Sequence, residues 1–173
     1  MDQKTIAIVV IAVVIVAVIG GAAYWMLGTG TTEPEPTPTP TPVGIEGASS
    51  LEFVVSATEG ESAGTAKYYA KNIGTDDMMI RIEFVMDPEN LIYIVNGATE
   101  ESWGYEGGAW VDYSDTYADQ WAMWEPVYQA YVDQLSTWTS GDWTYTDSGG
   151  ATVTISYITV NPTLEDSFFE GGA

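Results

Sequence analysis

Residues 117–138 read YADQWAMWEPVYQAYVDQLSTW, and this stretch decides how the rest of the chain can fold. Tyr117, Trp121, Trp124, Tyr128, Tyr131, Leu135 and Trp138 recur at alternating steps of four and three residues. Positions so spaced lie one above another on an α-helix, so the stretch predicts one helix carrying a single stripe of rings. The helix is expected over Thr116–Thr137, with Ser114 or Asp115 as its cap and Gly141 as its end. Thr116 and Asp119 have capping-box spacing, and Asp115 and Asp119 suit the positive end of the helix dipole. Pro126 lacks a donor and clashes one turn back, which predicts a kink or a break. The stripe keeps its phase across the proline, which argues for one bent helix.

The segments on either side alternate as strands do. Ser50–Thr58, Thr65–Asn72, Met78–Met86, Leu91–Val95 and the hairpin pair Glu101–Glu106 and Ala109–Tyr113 precede the helix. Asp142–Thr146 and Thr152–Val160 follow it, joined through Asp147-Ser148-Gly149-Gly150. In MMIRIEFVM, Met79, Arg81, Glu83 and Val85 would share one face, with Met78, Ile80, Ile82, Phe84 and Met86 on the other, the pattern of a half-buried antiparallel strand. A ring-rich helix must bury its stripe, and the only large partner is the sheet these strands can build. The expected fold is α+β: a strongly curved antiparallel sheet of about seven or eight strands, an incomplete barrel, with the helix on its concave face.

The amino terminus has a different character. Thr5–Leu27 contains no charged residue, and its 23 residues would span roughly 35 Å as a helix, enough for a hydrocarbon core of about 30 Å. Lys4 precedes the run and Glu33 is the first charge after it, which places residues 1–4 in the cytoplasm and the remainder outside. Tyr24 and Trp25 would anchor the outer end. A cleaved signal peptide is the competing reading, since Gly20-Gly21-Ala22-Ala23 offers small residues to a peptidase. The apolar run continues through Leu27, which favours retention and a bilayer partner for residues 5–27. Residues 28–48 then form a linker whose TTEPEPTPTPTP core can build neither helix nor sheet interior and extends as a polyproline-like stalk. Anchor, stalk and head together resemble the layout of archaeal cell-surface proteins: a single-pass protein of the cell membrane with an extracellular head at 49–173.

Charge and composition exclude several function classes. The chain holds 25 acidic and 4 basic residues, a net charge of -21, and only Lys67, Lys71 and Arg81 oppose the acids in the head. Such a surface repels nucleic acid and anionic lipid head groups. Cysteine and histidine are both absent, which removes disulfides, thiolate sites, zinc clusters and the Ser-His and Cys-His nucleophile systems. No cofactor motif is present, and the chain does not read as an enzyme.

The Tyr-X-X-Lys strand, the Met-X-X-Arg-Ile-Glu strand, the Ile-Tyr-Ile-Val-Asn-Gly turn and the closing Asn-Pro-X-Leu-X-Asp-X-X-Phe resemble the LolA-like group, the bacterial outer-membrane lipoprotein carriers and related extracytoplasmic lipoproteins. The similarity covers about Ser50 to Phe169. It implies an incomplete antiparallel barrel whose apolar concave face is covered by helix and, in some members, holds acyl chains. An apolar or lipid-like ligand between helix and sheet is the corresponding expectation, with Trp121, Trp124, Tyr128, Tyr131 and Phe84 as the candidate lining. The alternative is a structural or adhesive surface domain whose rings only pack, since aromatic stripes at helical spacing are usually core. Trp103, Tyr105, Trp110 and Tyr113 could likewise stack on sugars or form cross-strand packing pairs. Asp112, Asp115 and Asp119, or Asp76 with Asp77, lack the ligand spacing of a calcium loop, so a solvated acidic face is expected and no metal site.

Overall fold

A computed structural model describes residues 44–57, 64–85 and 90–172. The anchor expected at 5–27 and nearly all of the stalk lie outside these residues, and no helix among the described residues is long and apolar enough to cross a membrane. The fold is α+β. Six strands come first: β1 (Ser50–Ala57), β2 (Gly64–Lys71), β3 (Met79–Val85), β4 (Leu91–Asn96), β5 (Glu101–Glu106) and β6 (Ala109–Asp112). Helix α1 (Tyr117–Gln134) follows, then β7 (Trp143–Thr146) and β8 (Thr152–Val160). All eight strands join one antiparallel sheet in the order β6-β5-β4-β3-β2-β1-β8-β7, which is open, with β6 and β7 at its edges.

The first six strands form a meander, each pairing with its neighbour in sequence. The turn after β4 depends on a glycine. A Cβ on Gly97 would lie 2.6 Å from the carbonyl oxygens of both Asp76 and Met78, and the Gly97 N–H donates to the Met78 carbonyl at 2.9 Å. In the last turn, the Asp147 carboxylate accepts the Gly149 and Ala151 N–H groups at 2.9 and 2.8 Å. Where β8 pairs with β1 the register shifts between Glu52 and Val54. Tyr157 there takes a positive φ of 52° and is 79% exposed, as the extra residue of a bulge does.

Helix α1 connects one edge of the sheet to the other, so it has to cross the strands. Edges of a flat eight-stranded sheet lie about 34 Å apart, and an 18-residue helix is about 27 Å long. The helix and the link from Leu135 to Asp142 together cover that span. Its contacts follow the strand order: Trp124 meets Phe84 of β3 and Tyr93 of β4, and Tyr128 and Tyr131 meet Phe53 of β1.

Two details of the helix differ from expectation, its cap and its end. No side chain caps it. A 3-10 turn at Ser114–Thr116 precedes it, in which the Thr116 N–H donates to Tyr113 O at 2.9 Å, and Ser114 Oγ accepts from the Ser102 N–H. As the phase of the stripe argues, one helix runs through Pro126, and Ala122, whose carbonyl loses its partner, is exposed. The helix ends at Gln134, short of Thr137 and Gly141, where Leu135 N–H turns to both Tyr131 O and Val132 O and the chain tightens. Leu135 and Trp138 still complete the buried stripe, and the Trp138 indole donates to Gly141 O at 2.7 Å.

The sheet buries both faces, which corrects the half-buried reading of β3. Alternation sends Ala66, Tyr68, Ala70, Ile80, Ile82 and Phe84 to the helix side. Met79 and Ile94 face the other way, into a smaller core with Phe169 that Tyr69, Trp103, Leu164 and Phe168 flank. The carboxyl-terminal tail builds that second core. Asn161 and Pro162 turn the chain, held by Ser49 N–H on Asn161 Oδ1 (2.8 Å) and Ser50 Oγ on Pro162 O (2.8 Å). The tail then crosses the outer face and places Phe168 and Phe169 in a 3-10 turn (Asp166–Phe169) against the sheet. Arg81, only 6% exposed, is satisfied there. It donates to Glu83 Oε1 and Phe168 O, both at 2.8 Å, and stacks over the Phe168 ring at 4.2 Å. Lys71 reaches Leu164 O and Asp166 Oδ1.

Ile45 already packs against the helix-side core, so packing of the head begins within the linker's last residues. Every strand finds its partners within 44–172, and both cores are made there, as in a unit that folds on its own.

Candidate functional site

The candidate residues occupy the layer between α1 and the sheet, in two groups. Trp124 lies 4.7 Å from the Tyr93 ring and 6.0 Å from Phe84, and Phe84 meets Tyr93 edge-on at 6.2 Å. Farther along the helix, Phe53 stacks on Tyr68 at 5.1 Å and on Tyr128 at 6.0 Å, and Tyr131 closes on Tyr68 at 5.1 Å. Such offset and tilted rings, at centroid separations of about 4.5–7 Å, are the preferred aromatic geometry. Phe84, Trp124, Tyr128 and Tyr131 are thus brought into one layer, all buried. Trp121 packs against the same cluster but is only half-buried, beside Tyr117 at 6.0 Å.

What distinguishes this layer from an ordinary core is its polar atoms. Tyr68 Oη, Tyr128 Oη, Tyr145 Oη, Trp124 Nε1 and Trp143 Nε1 are buried without a hydrogen-bond partner among the described residues, and all five side chains belong to the helix-side cluster. Each unpartnered buried donor costs about 1–3 kcal/mol. Several together rival the roughly 5–15 kcal/mol by which a whole domain is stable. Native interiors seldom leave such groups without water or a ligand.

Three of the phenols gather at one end. Burial raises the pKa of Tyr68 well above its ordinary value, and Tyr131 and Tyr145 push it further. Tyr131 is pushed up to about 12, chiefly by burial, with Tyr68 acting against the rise and Asp147 adding to it. Tyr145 is raised by burial first, then by Tyr131 and Asp147. The Tyr68 and Tyr131 oxygens therefore lie near each other, although Tyr68 Oη misses hydrogen-bonding geometry. At the opposite end a carboxylate does supply a partner: Glu106 Oε1 accepts from Tyr93 Oη (3.1 Å) and Tyr113 Oη (3.0 Å).

Tyr68, Trp143 and Tyr145 were not among the residues that the helical stripe points to. Their signal is the period of two: Ala66, Tyr68 and Ala70 share one face of β2, and Trp143 and Tyr145 share one face of β7. The hairpin aromatics divide. Tyr105 and Trp110 are directly opposite and meet edge-on at 5.4 Å, a cross-strand pair, and Trp103 flanks the tail-side core. Among the described residues, no group of three or more acidic side chains is placed to hold a metal ion. An open antiparallel sheet crossed by one ring-lined helix is the class that fold and site define. No family model matches the chain, nor does any curated protein or solved structure.

Proposed function

We propose that the chain is a membrane-tethered, extracytoplasmic binding module without enzymatic activity, whose head holds an apolar or lipid-like molecule between α1 and the sheet. The observation that carries this reading is the set of five buried, unpartnered donors on the walls of one aromatic layer. A bound molecule with an apolar body and acceptor atoms would satisfy donors and rings together. The residue-level resemblance to the LolA-like group supports the same reading, with the sheet as an incomplete barrel and α1 on its concave face. The apolar run at 5–27 and the Thr/Pro stalk support a single-pass tether with the head outside.

A structural or adhesive head is the second reading, and the close stacking of Phe53, Tyr68 and Tyr128 favours it. Native mass spectrometry of the head purified from its own membranes separates the two. Co-purifying apolar mass is expected for a binding module. A bare mass, together with tryptophan fluorescence unmoved by added amphiphiles, would leave the structural reading standing.

A further inference from the structure

We infer that the molecule held in this layer is an electrically neutral amphiphile bearing hydrogen-bond acceptors, an ester, ether or carbonyl, and that the head rejects acidic lipids of the same chain length. This rests on the binding reading above and adds the chemistry of the polar end. The unpartnered atoms are three phenol hydroxyls and two indole N–H groups. An indole can only donate, and a phenol donates readily, so the complementary atom is an acceptor.

A carboxylate or phosphate is an acceptor too, but it would need a counter-charge, and the layer offers none. The head has only three cations, Lys67, Lys71 and Arg81. Strand alternation puts them on the same side of β2 and β3 as Tyr69 and Met79, across the sheet from Tyr68 and Ile82. Two of them are committed to the tail, Lys71 to Asp166 and Leu164 and Arg81 to Phe168 and Glu83. Lys67 sits directly opposite Glu83.

On the helix side the nearby formal charges are negative. Asp147 acts on Tyr131 and Tyr145, and Glu106 takes the hydroxyls of Tyr93 and Tyr113. An anion would be desolvated beside carboxylates with no cation to meet it, which is the costliest way to bury a charge. An ammonium fares no better. It is itself only a donor, and it gives the indole N–H groups of Trp124 and Trp143 no acceptor. A neutral acceptor remains.

Two probes with the same acyl chain test this: mono-oleoyl glycerol, which is neutral, and oleate, which is anionic. Each is titrated into the head, residues 44–173, below its aggregation concentration, and tryptophan fluorescence is followed at low and at high salt. High salt screens the exposed acids but not a buried site, so it separates surface repulsion from discrimination within the layer. The expected result is saturable binding of the glyceride at least about tenfold tighter than oleate at both salt concentrations, the worth of roughly 1.4 kcal/mol. Tyr68→Phe and Tyr145→Phe should each weaken glyceride binding by about three- to tenfold, as loss of one hydrogen bond does. Tyr145→Phe should not lower the melting temperature, because its hydroxyl has no partner among the described residues. Oleate binding as tightly as the glyceride would overturn the inference while leaving the binding reading intact. Glyceride binding indifferent to both variants would also overturn it, by placing the polar end elsewhere. Silence from both probes would sink the inference and the binding reading together.

Discussion

The two faces of the sheet are covered by different means. The helix side is a broad layer of rings contributed by α1 and by β1, β2, β3, β4 and β7, closed by aromatic stacking and containing five donors unpartnered among the described residues. The tail side is small and held mainly by partnered polar contacts, with one buried donor, Trp103 Nε1, unpartnered among the described residues. Arg81 is buried with both of its neighbours satisfied, and Lys71 and Asn96 reach backbone carbonyls of the tail. Polar groups without partners are where an interior can still gain by taking something in, and groups with partners are where it is finished. With one unpartnered donor against five, the tail face is the clamp and the helix face is the candidate site.

The largest effect that could break this picture comes from charging the ring layer. Trp124→Asp and Tyr128→Asp each remove a fully buried ring and insert a carboxylate. The combined loss is on the order of 5 kcal/mol or more, comparable to the entire stability of a domain. Circular dichroism of either variant is expected to show an unfolded head. Parental melting of both would mean that α1 does not face the core.

The tail clamp should be nearly as sensitive at one point. Phe169 is fully buried, so Phe169→Ala is expected to cost about 3–5 kcal/mol, measurable by urea denaturation. An effect below about 1 kcal/mol would show that the tail only rests on the sheet.

Alkaline pH addresses the helix side most, although Tyr69 on the tail side is also pushed up to about 12, by burial first and then by Glu83 and Glu52. A neutral buried phenol whose folded pKa lies above its unfolded value near 10 contributes stability that is complete below pH 10 and is lost as pH rises through the folded value. Tyr131, pushed up to about 12, and Tyr68, Tyr128 and Tyr145, raised by burial, all work in this direction. Stability should therefore be flat from neutral pH to about 10 and fall beyond it. Their tyrosinate absorbance should rise in one step with unfolding. Gradual titration of these phenols in a folded head would contradict their burial.

The smallest effect belongs to the Lys71–Asp166 pair, whose acidic partner is 72% exposed. Lys71→Met should cost no more than about 1 kcal/mol, and less still in high salt.

These contrasts also show what was legible beforehand. The helix, the meander and the final hairpin follow from two periods, 3.6 and 2, and the strand bounds agree with the alternation of residues such as Ile80, Ile82 and Phe84. The five candidate residues came from the helical stripe and one strand, so the layer was visible from the helix outward. Tyr68, Trp143 and Tyr145 were hidden because a period of two shows that residues share a face without showing which face meets the helix. The tail side was less legible. Arg81 and Glu83 look like the polar face of a half-exposed strand, and only the return of the tail, where Phe168 O meets Arg81 from 87 residues away, buries Arg81 and leaves Glu83 half-buried. Local patterns carry no record of such a long-range closure.

Amide hydrogen exchange of the head with and without mono-oleoyl glycerol tests the division of labour between the two faces most directly. Added protection is expected along Tyr117–Gln134 and Trp143–Thr146, with no change in the tail from Leu164 to Phe169. Protection confined to the tail, or none on α1 at a ligand concentration that saturates the fluorescence change, would contradict it.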